Sequence, residues 1–182
     1  TEKVMHNRWN ADVFSNLYSL DLVTLKVTRH SKNHWYYYPS VSSLTDKVLL
    51  IEYLSNAGSQ LAVIDTQLQG KSSNVVSVIP VPEDSQITSA VWSGDNIYIT
   101  ALSYAGLAMY KALYCFDTNT IKGNWEMVIK PQWSKISNLM DGGDYIYFLS
   151  DMDGLNNVYK LHNGNLERIT NEKFGAHSPY VY

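Results

Sequence analysis

Short apolar runs of strand length recur along the chain, separated by clusters of turn-forming residues. Residues 47–53, 96–102 and 144–150 share one pattern: a polar start at Lys47, Asn96 or Asp144, then Val, Ile, Leu, Tyr or Phe at most positions. Their starts lie 49 and then 48 residues apart. Each is followed by a turn-rich, Gly-containing stretch (55–59, 103–106 and 150–154) and then by a second apolar run at 60–65, 112–117 and 157–161, with an earlier copy at 16–21. Three of these second runs close on Asp21, Asp65 or Asp117, a residue whose carboxylate accepts a bond from backbone two positions on and so starts a turn. The fourth turns at Asn163-Gly164 instead.

The segment after each of these turns alternates apolar and polar residues, at 25–29, 76–78, 125–128 and 166–170, as a strand with one solvated face does. Ahead of each aligned run stands another short one, at 38–42, 88–92 and 136–139, and the last residues, 178–182, repeat it. Four short strands per unit, repeating in the mid to high forties of residues, is the layout of a β-propeller blade. The expected fold is therefore all-β: about four blade-sized units of four-stranded antiparallel sheet. The units are expected at 1–34, 35–82, 83–131 and 132–177, with 178–182 as the first strand of a further or closing blade. No helix-length periodicity interrupts the pattern, so helix content is expected to be close to nil. The chain opens with material for a second, third and fourth strand, residues 3–9 leading into 16–21, and ends on a first strand. Rings of six to eight blades are commoner than rings of four, within a range of about four to eight, so a segment of a larger propeller is expected.

Composition narrows the function. Hydrophobic residues make up 45% of the chain and charged ones 17%, which excludes the disordered class. The formal net charge is -3 and the 14 Lys and Arg are scattered, so no broad footprint for nucleic acid is expected. No apolar run reaches the length of a membrane-spanning helix, and the first ten residues lack the pattern of a signal peptide. Cys115 is the one cysteine, set in an apolar run, so an intramolecular disulfide is impossible and a buried, inert thiol is expected.

The motif Asp144-Tyr145-Ile146-Tyr147-Phe148-Leu149-Ser150-Asp151-Met152-Asp153-Gly154, followed by Asn157-Val158-Tyr159, Glu167-Arg168-Ile169-Thr170 and Ser178-Pro179, resembles the TolB-type six-bladed propeller repeat. That repeat is also found as the non-catalytic propeller of prolyl oligopeptidase relatives. Tyr38-Pro39-Ser40-Val41-Ser42 is similar to its first strand. The family's usual Ser-Pro-Asp-Gly-Lys turn is replaced here by 43–47, 93–96 and 141–144. The resemblance implies a propeller with no chemistry of its own, and a periplasmic or exported setting.

Direct chemical signatures are absent. There is no Gly-x-Ser-x-Gly elbow to project a nucleophile, no helical His pair for zinc and no Gly-rich phosphate loop, so no catalytic residue and no cofactor are expected. His6, His30, His34, His162 and His177 are dispersed without a partnering Cys or carboxylate cluster, which favours packing over metal binding. Asp151 to Asn157 alternates oxygen-bearing side chains as a calcium loop does, but Leu155 takes a ligand position and the distal Glu is missing, so a hairpin turn held by Asp side chains is expected. Asp12, Asp95 and Asp151 are not expected to converge as catalytic carboxylates. The candidate site is aromatic. His34, Trp35, Tyr36 and Tyr37 are expected to link an outer strand to the next inner strand, the connection that faces a propeller's channel; Trp133 and His177 occupy matching connections. Exposed Trp and Tyr offer large contact area at little entropic cost and suit a peptide, a protein or a carbohydrate, although aromatic side chains also wedge between blades. The expected function is a non-catalytic binding or scaffolding module. The alternative is the propeller domain of a larger hydrolase, a peptidase or a glycan-active enzyme, gating access to an active site elsewhere.

Overall fold

The computed structural model describes residues 3–12, 14–32, 34–42, 44–54, 58–67, 75–82, 85–119 and 124–181, with the backbone alone at 75 and 76. The expected turn residues Ser43 and Ser55 to Ala57, and Tyr182, lie outside the described residues. The described residues form strands and no helix. They fall into two compact units, Thr1–Val81 and Pro82–Tyr182.

In the first unit, β1 (Lys3–Asn10), β2 (Phe14–Asp21) and β3 (Val27–Arg29) form an antiparallel three-stranded sheet. A four-stranded antiparallel sheet follows: β4 (His34–Val41), β5 (Lys47–Tyr53), β6 (Ser59–Asp65) and β7 (Val75–Ile79). The two join where β2 and β4 run parallel, with Phe14 opposite His34 and Ser15 opposite Trp35. On β5, Val48, Leu49, Leu50 and Ile51 are all buried, so this strand is covered on both faces and its unbroken apolar run replaces alternation. One face of it packs into a core of Leu17, Tyr36, Val48, Leu50, Ala62 and Ile64, with Met5 against it.

The second unit holds two four-stranded antiparallel sheets. The first is β8 (Ser85–Ser93), β9 (Asn96–Ala105), β10 (Ala108–Asp117) and β11 (Glu126–Gln132). The second is β12 (Ile136–Asp141), β13 (Ile146–Ser150), β14 (Asn157–His162) and β15 (Asn165–Arg168). Val91 and Leu113 of the one sheet and Ile136, Leu139, Phe148 and Tyr159 of the other share one buried cluster. Two bonds tie the first strands together: Ser93 Oγ donates to Asp141 Oδ1 at 2.7 Å, and the Leu139 amide donates to Ser89 Oγ at 3.1 Å. Pro131 sits on β11, an outer strand paired on one side only, where a missing N–H leaves no ladder bond unmade.

The repeat is visible in detail. The first strands β4, β8 and β12 each shift register against their neighbour, between Tyr37 and Ser40, Ile87 and Ser89, and Ser137 and Met140. Tyr38 and Asn138 lie in two of these irregularities with left-handed backbone, φ 53° in both, a conformation that re-aims the side chains beside it. The turn-forming aspartates act as their positions imply. Asp21 Oδ1 accepts from the Val23 and Thr24 amides at 3.0 and 2.8 Å, and Asp65 and Asp117 accept from Gln67 and Asn119, both at 2.8 Å. The Thr24 amide bond comes first in holding the Asp21 carboxyl below its ordinary value. Asn163 and Gly164, at φ 48° and 76°, make the left-handed two-residue turn that suits a tight hairpin.

Four expectations are corrected. Residues 34–37 are the first half of β4 rather than a connection, because His34 and Trp35 pair with β2 and Tyr36 and Tyr37 with β5. The stretch 103–111 is mostly strand: β9 and β10 run on to a tight Gly106-Leu107 turn, with Gly106 at φ 63°. Residues 178–181 form no strand, and no strand among the described residues pairs with them. Cys115 is half-buried rather than fully buried.

One buried group makes the first unit sensitive to pH. His30 is buried and its Nε2 lies 2.8 Å from Ser19 Oγ. Burial, and then the positive charge of Lys3, hold His30 below its ordinary value of 6.5. The unfolded chain then takes up the proton first. Its contribution to stability is full above about pH 6.5 and is lost as the pH falls through the folded value. Urea midpoints are expected to fall on acidification through this range, and the fall to be smaller in His30→Asn.

Candidate functional site

In each four-stranded sheet the link from second to third strand and the link leading into or out of the sheet lie at one end, and the two remaining hairpins at the other. His34 opens β4, Trp133 follows β11 and His177 follows β15, so all occupy the linking ends of their own sheets. His34 to Tyr37 belong to the first unit, Trp133 and His177 to the second.

Period-two alternation sorts the β4 residues. His34 and Tyr36 share one face, with ring centroids 4.5 Å apart and planes 5° from parallel. Register sets Tyr36 opposite Glu52, and Glu52 opposite Gln60. Glu52 is used on both oxygens: His34 Nδ1 donates to Oε1 at 2.7 Å and Gln60 Nε2 to Oε2 at 2.8 Å. The pair orients the imidazole and provides no nucleophile. Tyr36 is wholly buried, and its carbonyl accepts from Asn7 Nδ2 at 2.6 Å and Ser15 Oγ at 2.7 Å. Its hydroxyl has no hydrogen-bond partner among the described residues. Burial, and secondarily the charge of Glu52, push this phenol well above its ordinary range. Tyr36 therefore positions its neighbours from within the core. Trp35 is 46% exposed and leans on Phe14 at 5.4 Å, while Tyr37 meets Tyr53 edge-on at 5.1 Å.

In the second unit Trp133 is 73% exposed and rests against Tyr110 at 5.0 Å. Beside it the β9–β10 hairpin projects: β8 flanks it only as far as Ser103, and β11 only as far as Lys111. Its tip exposes Tyr104, Leu107 and Met109. His177 is exposed too. The same end carries a feature that the sequence does not announce: Gln132 Nε2, Ser137 Oγ, Ser150 Oγ and Asn156 Oδ1 are buried with no hydrogen-bond partner among the described residues. They come from the end of β11, the start of β12, the end of β13 and the residue before β14.

Asp151, Asp153 and Asp95 serve structure. Asp151 Oδ1 accepts from the Lys135 amide at 2.6 Å, while Asp153 Oδ2 accepts from Tyr159 Oη at 2.8 Å and Arg168 Nη1 at 3.1 Å. Burial and this carboxylate push the Tyr159 phenol up to about 12. The Asp95 carbonyl accepts from Thr118. No group of three His, Cys, Asp or Glu that could hold a metal occurs among the described residues. Nor is any helix there long and apolar enough to cross a membrane. Ser19 and His30, a close Ser–His pair, are buried inside the sheet.

No protein-family model matches the sequence, and no curated protein does. Solved structures do. The β-propeller domain of the trilobed protease from Pyrococcus furiosus is 16% identical, with a TM-score of 0.70 over 98% of this chain and 57% of that one. TolB from Acinetobacter baumannii is 14% identical, with a TM-score of 0.66 over 95% of this chain and 42% of that one. Acylaminoacyl peptidase from Pyrococcus horikoshii is 16% identical, with a TM-score of 0.65 over 92% and 30%. The chain thus spans less than two thirds of the length of each, and at these identities the likeness is one of fold. Recurrent four-stranded sheets, shared irregularities in the first strands and these matches together give the chain the fold of a TolB-like β-propeller repeat.

Proposed function

We propose that the chain is a non-catalytic binding module that takes a peptide, a protein segment or a glycan at the linking ends of its sheets. The observation that carries this reading is the coincidence, at that end of the second unit, of exposed aromatic side chains with four buried polar atoms that have no partner among the described residues. A buried polar group left unpaired costs about 1–3 kcal/mol, so a ligand rich in hydrogen-bonding groups gains by satisfying such atoms. Trp and Tyr beside them supply contact area. Trp133 and His177 in the second unit, and His34, Trp35 and Tyr37 in the first, are the proposed contacts, with Tyr36 holding the β4 residues in place.

Screening peptides and glycans by tryptophan fluorescence tests this. Trp133→Ala or Trp35→Ala is expected to weaken the binding found by roughly tenfold or more, the range of an aromatic hot spot, with the folded signal retained because both rings are largely exposed. Binding unchanged in both variants would reject the proposal. The second reading, a propeller that covers the active site of an attached hydrolase, is favoured by the peptidase propellers among the similar structures. A nucleophile elbow encoded in the same reading frame separates the two.

A further inference from the structure

At the other end of the second unit's sheets, away from Trp133, the hairpin turns enclose a cleft of about 490 Å³, inside the range of roughly 300–1,000 Å³ typical of small-molecule sites. Its floor is apolar, with Ile146 and Leu161 both buried. Tyr98 and Tyr145 contribute to its walls, and Glu126 and Asp144 stand exposed at its rim. Among the described residues no Lys or Arg lines it. Neither rim carboxylate makes a hydrogen bond or ion pair among the described residues. Lys160, 5.1 Å from the Tyr145 ring, is already paired with Glu167 at 2.9 Å.

Among the other polar groups, Asn96 Nδ2 and the tyrosine hydroxyls can donate, while His162 is already used. His162 Nδ1 donates to the Asp144 carbonyl at 2.6 Å, which leaves Nε2 to accept from Asn163 Nδ2 at 3.0 Å. Glu126 contributes negative potential here: burial first, then Cys115 and Glu126, push the Tyr98 phenol up to about 12, and burial together with Glu126 and Asp117 raises the Cys115 thiol against the lowering effect of the Tyr98 bond. An anion is repelled by such a cleft, and a neutral molecule leaves its carboxylates unmatched.

We propose that this cleft binds an organic cation, a primary ammonium or guanidinium carried on a short apolar stem. The head makes charge-assisted bonds to Glu126 and Asp144, the tyrosine faces attract it through their quadrupoles, and the stem covers Ile146 and Leu161. Low-dielectric walls concentrate the field of the two carboxylates.

Cys115, the chain's single cysteine, lines the cleft and reports its occupancy. The test is the rate at which a neutral pyridyl disulfide labels the intact chain, alone and with pentylamine, pentanol or pentanoate, which share a stem and differ in the head group. At about ten times a millimolar-range Kd, the affinity open to so small a ligand, pentylamine is expected to slow labelling about tenfold. Pentanol and pentanoate are expected to leave it nearly unchanged, and added salt to weaken the protection. Glu126→Gln with Asp144→Asn, both exposed and so compatible with folding, should abolish protection, read as the ratio of rates with and without amine. Equal protection by pentanol, no protection by pentylamine, or protection that survives the double substitution would overturn the proposal. The first two comparisons need no variant.

Discussion

Tyr36→Ala is expected to destabilise the first unit by about 3–5 kcal/mol, the cost of emptying a large buried aromatic site. The side chain is wholly buried among Leu17, Val48, Leu50 and Ile64. Its removal also withdraws the ring on which His34 stacks. Tyr36→Phe is expected to go the other way. The hydroxyl is buried without a partner among the described residues, so deleting it removes a desolvated polar group and breaks no bond among them, a gain of up to about 1 kcal/mol. Urea midpoints on the two variants check both. A stable Ala variant would show the ring to be peripheral, and a Phe variant that loses stability would show the hydroxyl to be satisfied.

Phe148→Ala is the counterpart in the second unit and is expected to lose about 3–5 kcal/mol. Phe148 is wholly buried, stacks on Tyr159 at 5.9 Å and belongs to the cluster shared by both sheets of that unit. Its loss loosens the contact between two sheets rather than one strand. Trp92, Trp125 and Trp133 report on that unit, and Trp9 and Trp35 on the first. Phe148→Leu, which keeps most of the volume, is expected to cost under about 1.5 kcal/mol. A Phe148→Ala protein with unchanged tryptophan unfolding would contradict the shared core.

Much of the fold is legible in the sequence because a blade is a local object. Hairpins join neighbouring strands, and Asp21, Asp65 and Asp117 punctuate them through bonds that span two or three residues. The positions of β5, β6, β9, β10, β13 and β14 follow from that spacing, and Lys47–Tyr53 matches to the residue. What escapes is non-local. His34 to Tyr37 read as a link because they fall between the expected outer strand at 25–29 and the run at 38–42; the pairing of His34 and Trp35 with β2, and of Tyr36 and Tyr37 with β5, turns them into strand. The burial of Tyr36 is equally invisible, since its neighbours Trp35 and Tyr37 carry the same kind of side chain and alternation alone decides which faces inward. At the linking end of the second unit the aromatic positions Trp133 and His177 could be read from the repeat. The unpaired Gln132, Ser137, Ser150 and Asn156 could not, because satisfaction of a polar group depends on what folding brings near it. The cleft beside Cys115 needs two sheets and has no motif.

Backbone amide exchange, with and without the peptide or glycan selected by fluorescence, tests the central claim most directly. The account predicts new protection at 34–37 in the first unit or at 132–137 and 150–156 in the second, with no change at 142–146 and 161–165. Protection confined to the latter segments would contradict it.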